Sequence, residues 1–194
     1  MKNKGLVIGL VVVSIAAALI LLILPGRHPA FVRNNTTETA VRNRVEKALL
    51  LIESGKFDEA QPLLEENLNA GGFDERSSYW LSFILVQGGL YDKAFAVAKP
   101  FVEKARDPQL LTDLGSLFAI HGFESMAMVC YVKALKEDER FIRAYIELGK
   151  VYGNQEKFLQ AIGIWQDALR FDPHNEEIQG LIKQGYALWD ERPE

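Results

Sequence analysis

The side chains best suited to metal binding or nucleophilic catalysis are few in this sequence. Its three histidines are His28, His121 and His174, and its one cysteine is Cys130. A zinc site needs several ligands at short spacings, and neither an HExxH motif nor a cysteine pair is present. Cys130 adjoins Tyr131 in an apolar helical stretch, which favours a packing role over a nucleophilic one. The sequence therefore predicts no catalytic or metal site, and we expect that the protein is not an enzyme.

The sequence also has few features that would bind phosphate groups. The glycine pairs Gly71-Gly72 and Gly88-Gly89 are typical of turns between helices, where a left-handed backbone is needed. Beyond residues 1–33, which hold four basic side chains and no acidic one, the chain carries 18 basic and 26 acidic residues. Phosphate contacts dominate nucleic-acid affinity, so an acidic domain is a poor candidate for such a partner. We expect no nucleic acid, no cofactor and no small-molecule substrate.

The stretch Leu6–Leu24 contains 19 residues without a charge. As a helix it would be about 28 Å long, close to the hydrocarbon thickness of a bilayer. The alternative is a cleaved signal peptide, which also combines a basic start with an apolar run. The run is longer than a usual signal core, and no small-x-small cleavage site follows Leu24. These features favour an uncleaved transmembrane helix at 6–24.

The flanks of this stretch bear on its orientation. Lys2 and Lys4 precede it and Arg27 and Arg33 follow it, so the positive charges nearly balance. The short tail 1–5 favours a cytoplasmic N-terminus, which would place the larger part of the protein on the non-cytoplasmic, periplasmic face. Residues 25–39 are polar, contain two prolines and lack apolar periodicity, so they are predicted to form a linker.

Beyond Thr39 the apolar periodicity is helical throughout, and no alternating run predicts a strand. Connections of two to five residues favour antiparallel helix pairs. Asn175, followed by Glu176 and Glu177, is a predicted N-cap. The fold class is therefore all-α, with helices predicted at 39–54, 57–70, 75–88, 91–105, 109–121, 124–137, 141–154, 158–171 and 175–190.

A 34-residue pattern recurs along this region. In its clearest copy the characteristic residues are Tyr145, Leu148, Gly149, Tyr152, Ala161, Trp165, Ala168 and Pro173. The copy before it has Leu111, Leu114, Gly115, Phe118, Ala127, Tyr131 and Ala134, with Glu139 in place of the proline. Neither helix of such a unit could bury its apolar stripe alone, so the units must stack. Gly149 and Ala161 are predicted to lie where the two helices cross closely, with the aromatic residues filling the space between pairs.

This pattern resembles the tetratricopeptide repeat. The resemblance implies an α-solenoid of four repeats within 40–174, at about 41–74, 75–107, 108–141 and 142–174, followed by a capping helix at 175–190 and a tail at 191–194. The first copy departs from the pattern at Arg44 and Lys47. The second copy contains Pro100, which should bend or shorten its second helix. In the cap, Ile178, Leu181, Ile182, Gly185 and Leu188 would cover the end of the stack.

The resemblance also implies a concave groove lined by the first helices, in which a partner peptide lies. The candidate groove residues are Arg42, Val45, Leu49, Arg76, Tyr79, Phe83, Thr112, Ser116, Arg143, Ile146 and Lys150. Tyr79 and Phe83 would anchor an apolar segment while Arg76 or Arg143 pairs with an acidic group. The alternative is that the apolar members complete the core. Only Lys150 fits the family's carboxylate clamp, so binding of a chaperone's C-terminal tail is not expected.

These features predict a scaffold rather than an enzyme. The predicted function is that of a membrane-anchored repeat protein that binds a protein or peptide partner in its groove. Similar anchored repeat proteins serve bacterial cell-envelope assembly, and the resemblance extends that role to this chain. The alternative is a structural role in which the repeats self-associate into a homo-oligomer at the membrane.

Overall fold

The computed structural model describes residues 35–71 and 73–191. This part of the chain is helical and contains no strand, which confirms the predicted all-α class. Its helices are α1 (Asn35–Glu53), α2 (Phe57–Gly71), α3 (Glu75–Gln87), α4 (Tyr91–Lys104), α5 (Pro108–Ile120), α6 (Glu124–Glu137), α7 (Ile142–Asn154), α8 (Phe158–Leu169) and α9 (Glu176–Asp190).

The N-terminal predictions fall mostly outside this part. The predicted transmembrane helix Leu6–Leu24 and the linker as far as residue 34 lie outside the described residues. The last five residues of the predicted linker are helical, because α1 begins at Asn35 rather than at residue 39. Within 35–71 and 73–191, every helix is too short or too polar to cross a bilayer.

The described residues fall into two compact units, which divide between Ser77 and Ser78 within α3. In the first unit α1 packs against α2. Ala48 and Ile52 of α1 and Ala60 and Leu64 of α2 are buried, so the apolar stripes of the two helices face one another.

In the second unit the helices pack in chain order. Helix α5 contacts α6, α6 contacts α7, α7 contacts α8 and α8 contacts α9. Contacts also join α5 to α7 and α4 to α6, so helices at the same position in successive pairs lie side by side. This arrangement is the one expected when each pair buries its apolar face against the next.

The turn inside each helix pair has the same backbone structure. Gly55, Gly89 and Gly122 have φ angles of 73°, 71° and 83°, and Glu156 takes the equivalent place with φ 59°. In every turn the amide of the next residue donates a hydrogen bond to the carbonyl oxygen five residues earlier. The four bonds are Lys56 to Leu51 (2.8 Å), Leu90 to Leu85 (2.8 Å), Phe123 to Phe118 (2.9 Å) and Lys157 to Tyr152 (3.0 Å). These bonds define Schellman caps, which need a left-handed residue and therefore favour glycine.

Two glycines of the first helices lie beneath aromatic rings of their partner helices. A Cβ atom on Gly115 would lie 2.5 Å from Tyr131 Cε1 and 3.1 Å from the carbonyl oxygen of Ala127. A Cβ atom on Gly149 would lie 2.5 Å from Trp165 Cε2. The close crossing predicted at these glycines is therefore present, and the aromatic ring itself occupies the space.

Helix α9 occupies the far side of the same tryptophan. A Cβ atom on Gly185 would lie 2.8 Å from Ile162 Cγ1 and 3.3 Å from Trp165 Cζ3, so this helix also approaches closely. Ile178 is buried against the last pair. Leu188 was expected to cover the end of the stack, but 41% of its surface is exposed. It lies in the last turn of α9.

Helix ends are set by the residues that flank them. Asn175 is the N-cap of α9 as predicted, since its side chain accepts a hydrogen bond from the amide of Ile178 at 3.1 Å. Asp107 caps α5 by accepting from Gln109 and Leu110, with Pro108 at the first helical position. Pro100 lies inside α4 without shortening it, because the helix continues to Lys104.

Candidate functional site

The predicted groove residues of the first unit differ in exposure. Val45 is buried, Leu49 and Arg76 are half-buried, and Arg42 is exposed. Arg44, which departs from the repeat pattern, pairs with Glu66 at 2.7 Å and donates to Asn67 Oδ1 at 3.1 Å. Asn67 is fully buried, so the polar residue on α1 is matched by a polar residue on α2.

Tyr79 and Phe83, the predicted apolar anchors, lie on α3 in the second unit. Their exposed fractions are 5% and 4%, and the ring of Trp80 contacts both edge-on, with centroid distances of 5.0 Å and 5.5 Å. Burial raises the pKa of Tyr79 above its ordinary value, the negative charge of Asp113 adds to the rise, and the positive charge of Arg143 opposes it. These rings are packed residues in this structure, and their contact with a partner stays a prediction.

An ion pair joins α5 to α7. Arg143 Nη1 donates to Asp113 Oδ1 at 2.6 Å, and Gln109 Nε2 donates to the same carboxylate at 3.0 Å. The side chain of Asp113 is 14% exposed and that of Arg143 is 44% exposed. Arg143, predicted to pair with an acidic group of a partner, already has an acidic group of its own chain beside it.

A second set of ionic contacts joins α7 to α9. Lys150 Nζ lies 3.1 Å from a carboxylate oxygen of Glu147 and 3.7 Å from one of Glu177. Because the side chains of Lys150 and Glu177 are 42% and 60% exposed, this contact is open to solvent and individually weak. Ile146, also predicted to line the groove, is buried in the core of the last pair.

Two hydroxyl groups on α5 complete the site. Ser116 Oγ accepts a hydrogen bond from the hydroxyl of Tyr131 at 3.3 Å. Burial raises the pKa of Tyr131 to about 12, although the bond to Ser116 opposes the rise. Thr112, four residues earlier on the same helical face, is fully buried, and its hydroxyl has no hydrogen-bond partner among the described residues.

We call this set the first-helix face, since its members lie on α5 and α7, the first helices of two successive pairs, and on α9, the capping helix that follows them. The first-helix face consists of Gln109, Thr112, Asp113, Ser116, Arg143, Glu147, Lys150 and Glu177. Its groups donate and accept hydrogen bonds and form ion pairs, which suits recognition of a polypeptide better than proton transfer.

The histidines of the described residues and Cys130 are not part of this face. His121 ends α5, where its Nδ1 atom lies 2.9 Å from the carbonyl oxygen of Leu117. His174 is exposed just before the α9 cap. Cys130 is buried on α6, and burial raises the pKa of its thiol to about 12. Within the described ranges, His, Cys, Asp and Glu side chains form no group of three that could hold a metal ion.

The sequence reasoning missed the acidic half of the first-helix face. Asp113 and Glu147 occupy the same place in two successive repeats, 34 residues apart. Each lies near a basic residue, Arg143 for Asp113 and Lys150 for Glu147. A search for charges repeated at the repeat spacing would have found both acids.

The chain is similar in sequence to one curated repeat protein. It is 31% identical over 70 residues to the human protein named tetratricopeptide repeat protein 6. The aligned part is 36% of this chain but only 14% of the human protein, so the chain spans a small part of that relative's length. No model of a protein family matches the chain.

Similarity to solved structures extends over most of the chain. A crystal structure of MamA has a TM-score of 0.57 and 20% identity, covering 72% of this chain and 82% of MamA. A second MamA structure covers 81% of this chain and 88% of its own, with a TM-score of 0.56. A thermophilic TPR protein of Thermus thermophilus has a TM-score of 0.52 and 21% identity, covering 76% of this chain and 81% of its own.

These likenesses agree with the residue pattern. The helix pairs, the Schellman turns, and the glycines beneath Tyr131 and Trp165 recur at the spacing of the repeat. The fold of the chain is therefore like that of tetratricopeptide repeat proteins.

Proposed function

We propose that this protein is an interaction scaffold that binds a segment of a protein partner along the first-helix face. The segment would lie across α5, α7 and α9. Arg143 and Lys150 would contact its acidic groups, and Gln109 and Ser116 would contact its backbone. A repeat protein suits this role because successive helices present similar groups at a regular spacing.

One observation carries the proposal. Polar and charged groups continue from Gln109 to Glu177 across α5, α7 and α9, and the ionic contacts among them are partly exposed. The contact of Lys150 with Glu177 is exposed, and such pairs are worth about 0–1 kcal/mol each, so a partner can replace it at little cost.

The proposal includes the predicted location. Leu6–Leu24 would anchor the protein as a single transmembrane helix, with the repeats on the periplasmic face, and the scaffold would serve cell-envelope assembly. The length and apolar character of that stretch support the anchor. We expect the full chain to stay in the membrane fraction after alkaline extraction. We also expect added protease to cleave the repeats only from the periplasmic side.

Site-specific crosslinking in native membranes tests the binding face. A photoreactive probe in place of Lys150 should capture a partner protein, whereas the same probe in place of exposed Gln166 on α8 should not. The matched substitutions are Arg143→Ala and Arg170→Ala. Arg143 lies on the first-helix face, whereas Arg170 follows the last residue of α8 and has a side chain that is 75% exposed.

The expected result is that Arg143→Ala reduces capture while Arg170→Ala leaves it unchanged. Arg170→Ala should keep the melting temperature of the parent within a few degrees, since exposed pairs contribute about 0–1 kcal/mol. Arg143→Ala leaves the largely buried Asp113 carboxylate without its cation, so circular dichroism melting must show that this variant is folded at the temperature of the capture experiment. Equal capture by the probes at positions 150 and 166 would count against the first-helix face. So would undiminished capture by Arg143→Ala.

A further inference from the structure

A second surface lies on helices that the first-helix face does not use. Between α4 and α6, the second helices of two neighbouring pairs, is a shallow cleft of about 330 Å³. We call it the outer cleft. It is lined by Val102, Met128, Val129, Val132, Lys133 and Lys136.

The apolar lining of this cleft is peculiar to α6. Val129 and Val132 are 52% and 42% exposed. At the corresponding positions α8 has Gly163 and Gln166, α4 has Ala96 and Lys99, and α2 has Pro62 and Glu65. The other second helices thus carry a small or polar residue where α6 carries valine. Packing within the repeat does not explain two valines there, because the residues of α6 that pack within the repeat lie on the opposite side of the helix. They are the buried Ala127, Tyr131 and Ala134.

The rim of the cleft is basic. Lys136 is exposed, and Lys133 is half-buried beside Glu137, to which it donates a hydrogen bond. Arg106 also pairs with Glu137, at 2.9 Å. Lys133 and then Arg106 hold the pKa of the Glu137 carboxyl below its ordinary value. Lys133 and Arg106 pair with Glu137, and the exposed Lys136 adds a further positive charge. The rim therefore carries a net positive charge and favours an apolar segment that carries negative charge.

The same chain presents such a segment at the end of α9. Tyr186, Leu188 and Trp189 are 43%, 41% and 37% exposed, and Asp190 and Glu191 follow them. We call residues 186–191 the α9 tip. It combines large apolar side chains with two adjacent acids, which complement the valines and the lysines of the outer cleft in polarity and charge.

We propose that the α9 tip of one copy binds the outer cleft of a second copy. Leu188 and Trp189 would cover Val129 and Val132, while Asp190 and Glu191 would approach Lys133 and Lys136. This contact is separate from partner binding on the first-helix face, and a failure of either proposal leaves the other intact.

The contact has a defined symmetry. The cleft and the tip are different surfaces, so a copy that gives its tip to one neighbour receives the tip of another. Such a heterologous contact forms open chains or rings instead of a closed two-fold dimer. The assembly should therefore grow with protein concentration beyond two copies.

Two variants test this contact in the full chain, purified in detergent micelles. The cleft variant carries Val132→Glu and Lys136→Glu. The tip variant carries Leu188→Ser and Asp190→Asn, which remove an apolar and an acidic group without adding a positive charge that could attract the altered cleft. The mass of the protein part is measured by sedimentation equilibrium over a wide concentration range. Both variants change exposed residues, and circular dichroism melting checks that they stay folded.

The parent chain is expected to form assemblies larger than a dimer, and each variant alone should associate at least about tenfold more weakly. An equimolar mixture of the two variants should form a heterodimer and stop there. In the mixture only the cleft of the tip variant and the tip of the cleft variant remain intact, which leaves one working contact.

Three results would overturn the proposal. A parent chain that is monomeric throughout would show that a second copy does not fill the cleft. Assemblies that survive in both variants would locate self-association elsewhere, for example in Leu6–Leu24, which both variants retain. Two folded variants that are monomeric alone and also when mixed would exclude a heterologous tip-to-cleft contact.

A matched substitution controls for the general effect of added charge. Gln160→Glu places the same negative charge at an exposed position of α8, a helix that belongs neither to the outer cleft nor to the α9 tip. It should leave the mass distribution of the parent unchanged. A loss of assembly in this variant would contradict the assignment of the contact to the outer cleft.

Discussion

The indole ring of Trp165 lies directly against Gly149. An added Cβ atom on this glycine would be 2.5 Å from Cε2 of the ring, and the ring Nε1 donates a hydrogen bond to the carbonyl oxygen of Ile146 at 3.3 Å. The ring therefore both fills the space left by the missing side chain and satisfies a first-helix carbonyl. One repeat earlier, the ring of Tyr131 fills the space beside Gly115 in the same way.

Gly149→Ala should destabilise the fold by about 1–3 kcal/mol, because the added methyl group overpacks a filled site. Gly163→Ala is the matched control, since nothing lies within 4 Å of a Cβ atom there. It should stabilise α8 by up to about 1 kcal/mol through helix propensity alone. Urea unfolding of both variants checks the pair, and equal effects of the two substitutions would refute the role assigned to the ring.

Glu156→Gly should stabilise the fold by about 1 kcal/mol. Glu156 has φ 59°, where a side chain is strained, and the other three turns have glycine at this place. The melting temperature should rise by about 2–4 °C in a chain of this size. Gly122→Ala is the reverse experiment, because φ is 83° there, and it should lower the melting temperature. A decrease for Glu156→Gly would mean that the glutamate side chain contributes more than its strain.

Asn67→Leu should cost about 2–3 kcal/mol, because it leaves buried polar groups without partners. Asn67 accepts from Arg44 and donates to the carbonyl of Val41 and the hydroxyl of Ser77, each at 3.1 Å. The double variant Arg44→Leu and Asn67→Leu should recover part of the loss, since an apolar pair suits this position of the repeat. A double-mutant cycle in urea measures the coupling, and strictly additive costs would contradict a shared network.

Cys130 should resist thiol reagents in the folded chain. Burial raises the pKa of its thiol to about 12, so the reactive thiolate is much scarcer at pH 8 than for a thiol with the ordinary value. Alkylation should then follow unfolding and become fast in denaturant. Rapid labelling of the native chain would show that α6 opens far more readily than its packing indicates.

Much of the fold followed from local patterns. Helix boundaries were predicted within a few residues, since the apolar periodicity and the turn residues are local signals. Gly89 and Asn175 took the turn and cap roles expected of them. The largest error was the start of α1 at Asn35, where a polar segment without apolar periodicity is nevertheless helical.

The candidate site was less accessible to sequence reasoning. Periodicity places Tyr79, Phe83 and Thr112 on one side of their helices but does not show what covers that side, and all three are buried. The contacts of Arg143 with Asp113 and of Lys150 with Glu177 join residues about one repeat apart. Which of several possible partners a long charged side chain reaches depends on how the helices are placed.

The sequence by itself determined the class of fold, the helix pairs and the repeat spacing, because these follow from the positions of apolar residues, glycines and caps along one chain. Only the tertiary structure decided which side chains remain available. It buried the predicted anchors at Tyr79 and Phe83, paired Arg143 within the chain, and left Val129, Val132 and the α9 tip exposed. Exposure depends on neighbours distant in sequence, so it is decided only when the helices pack.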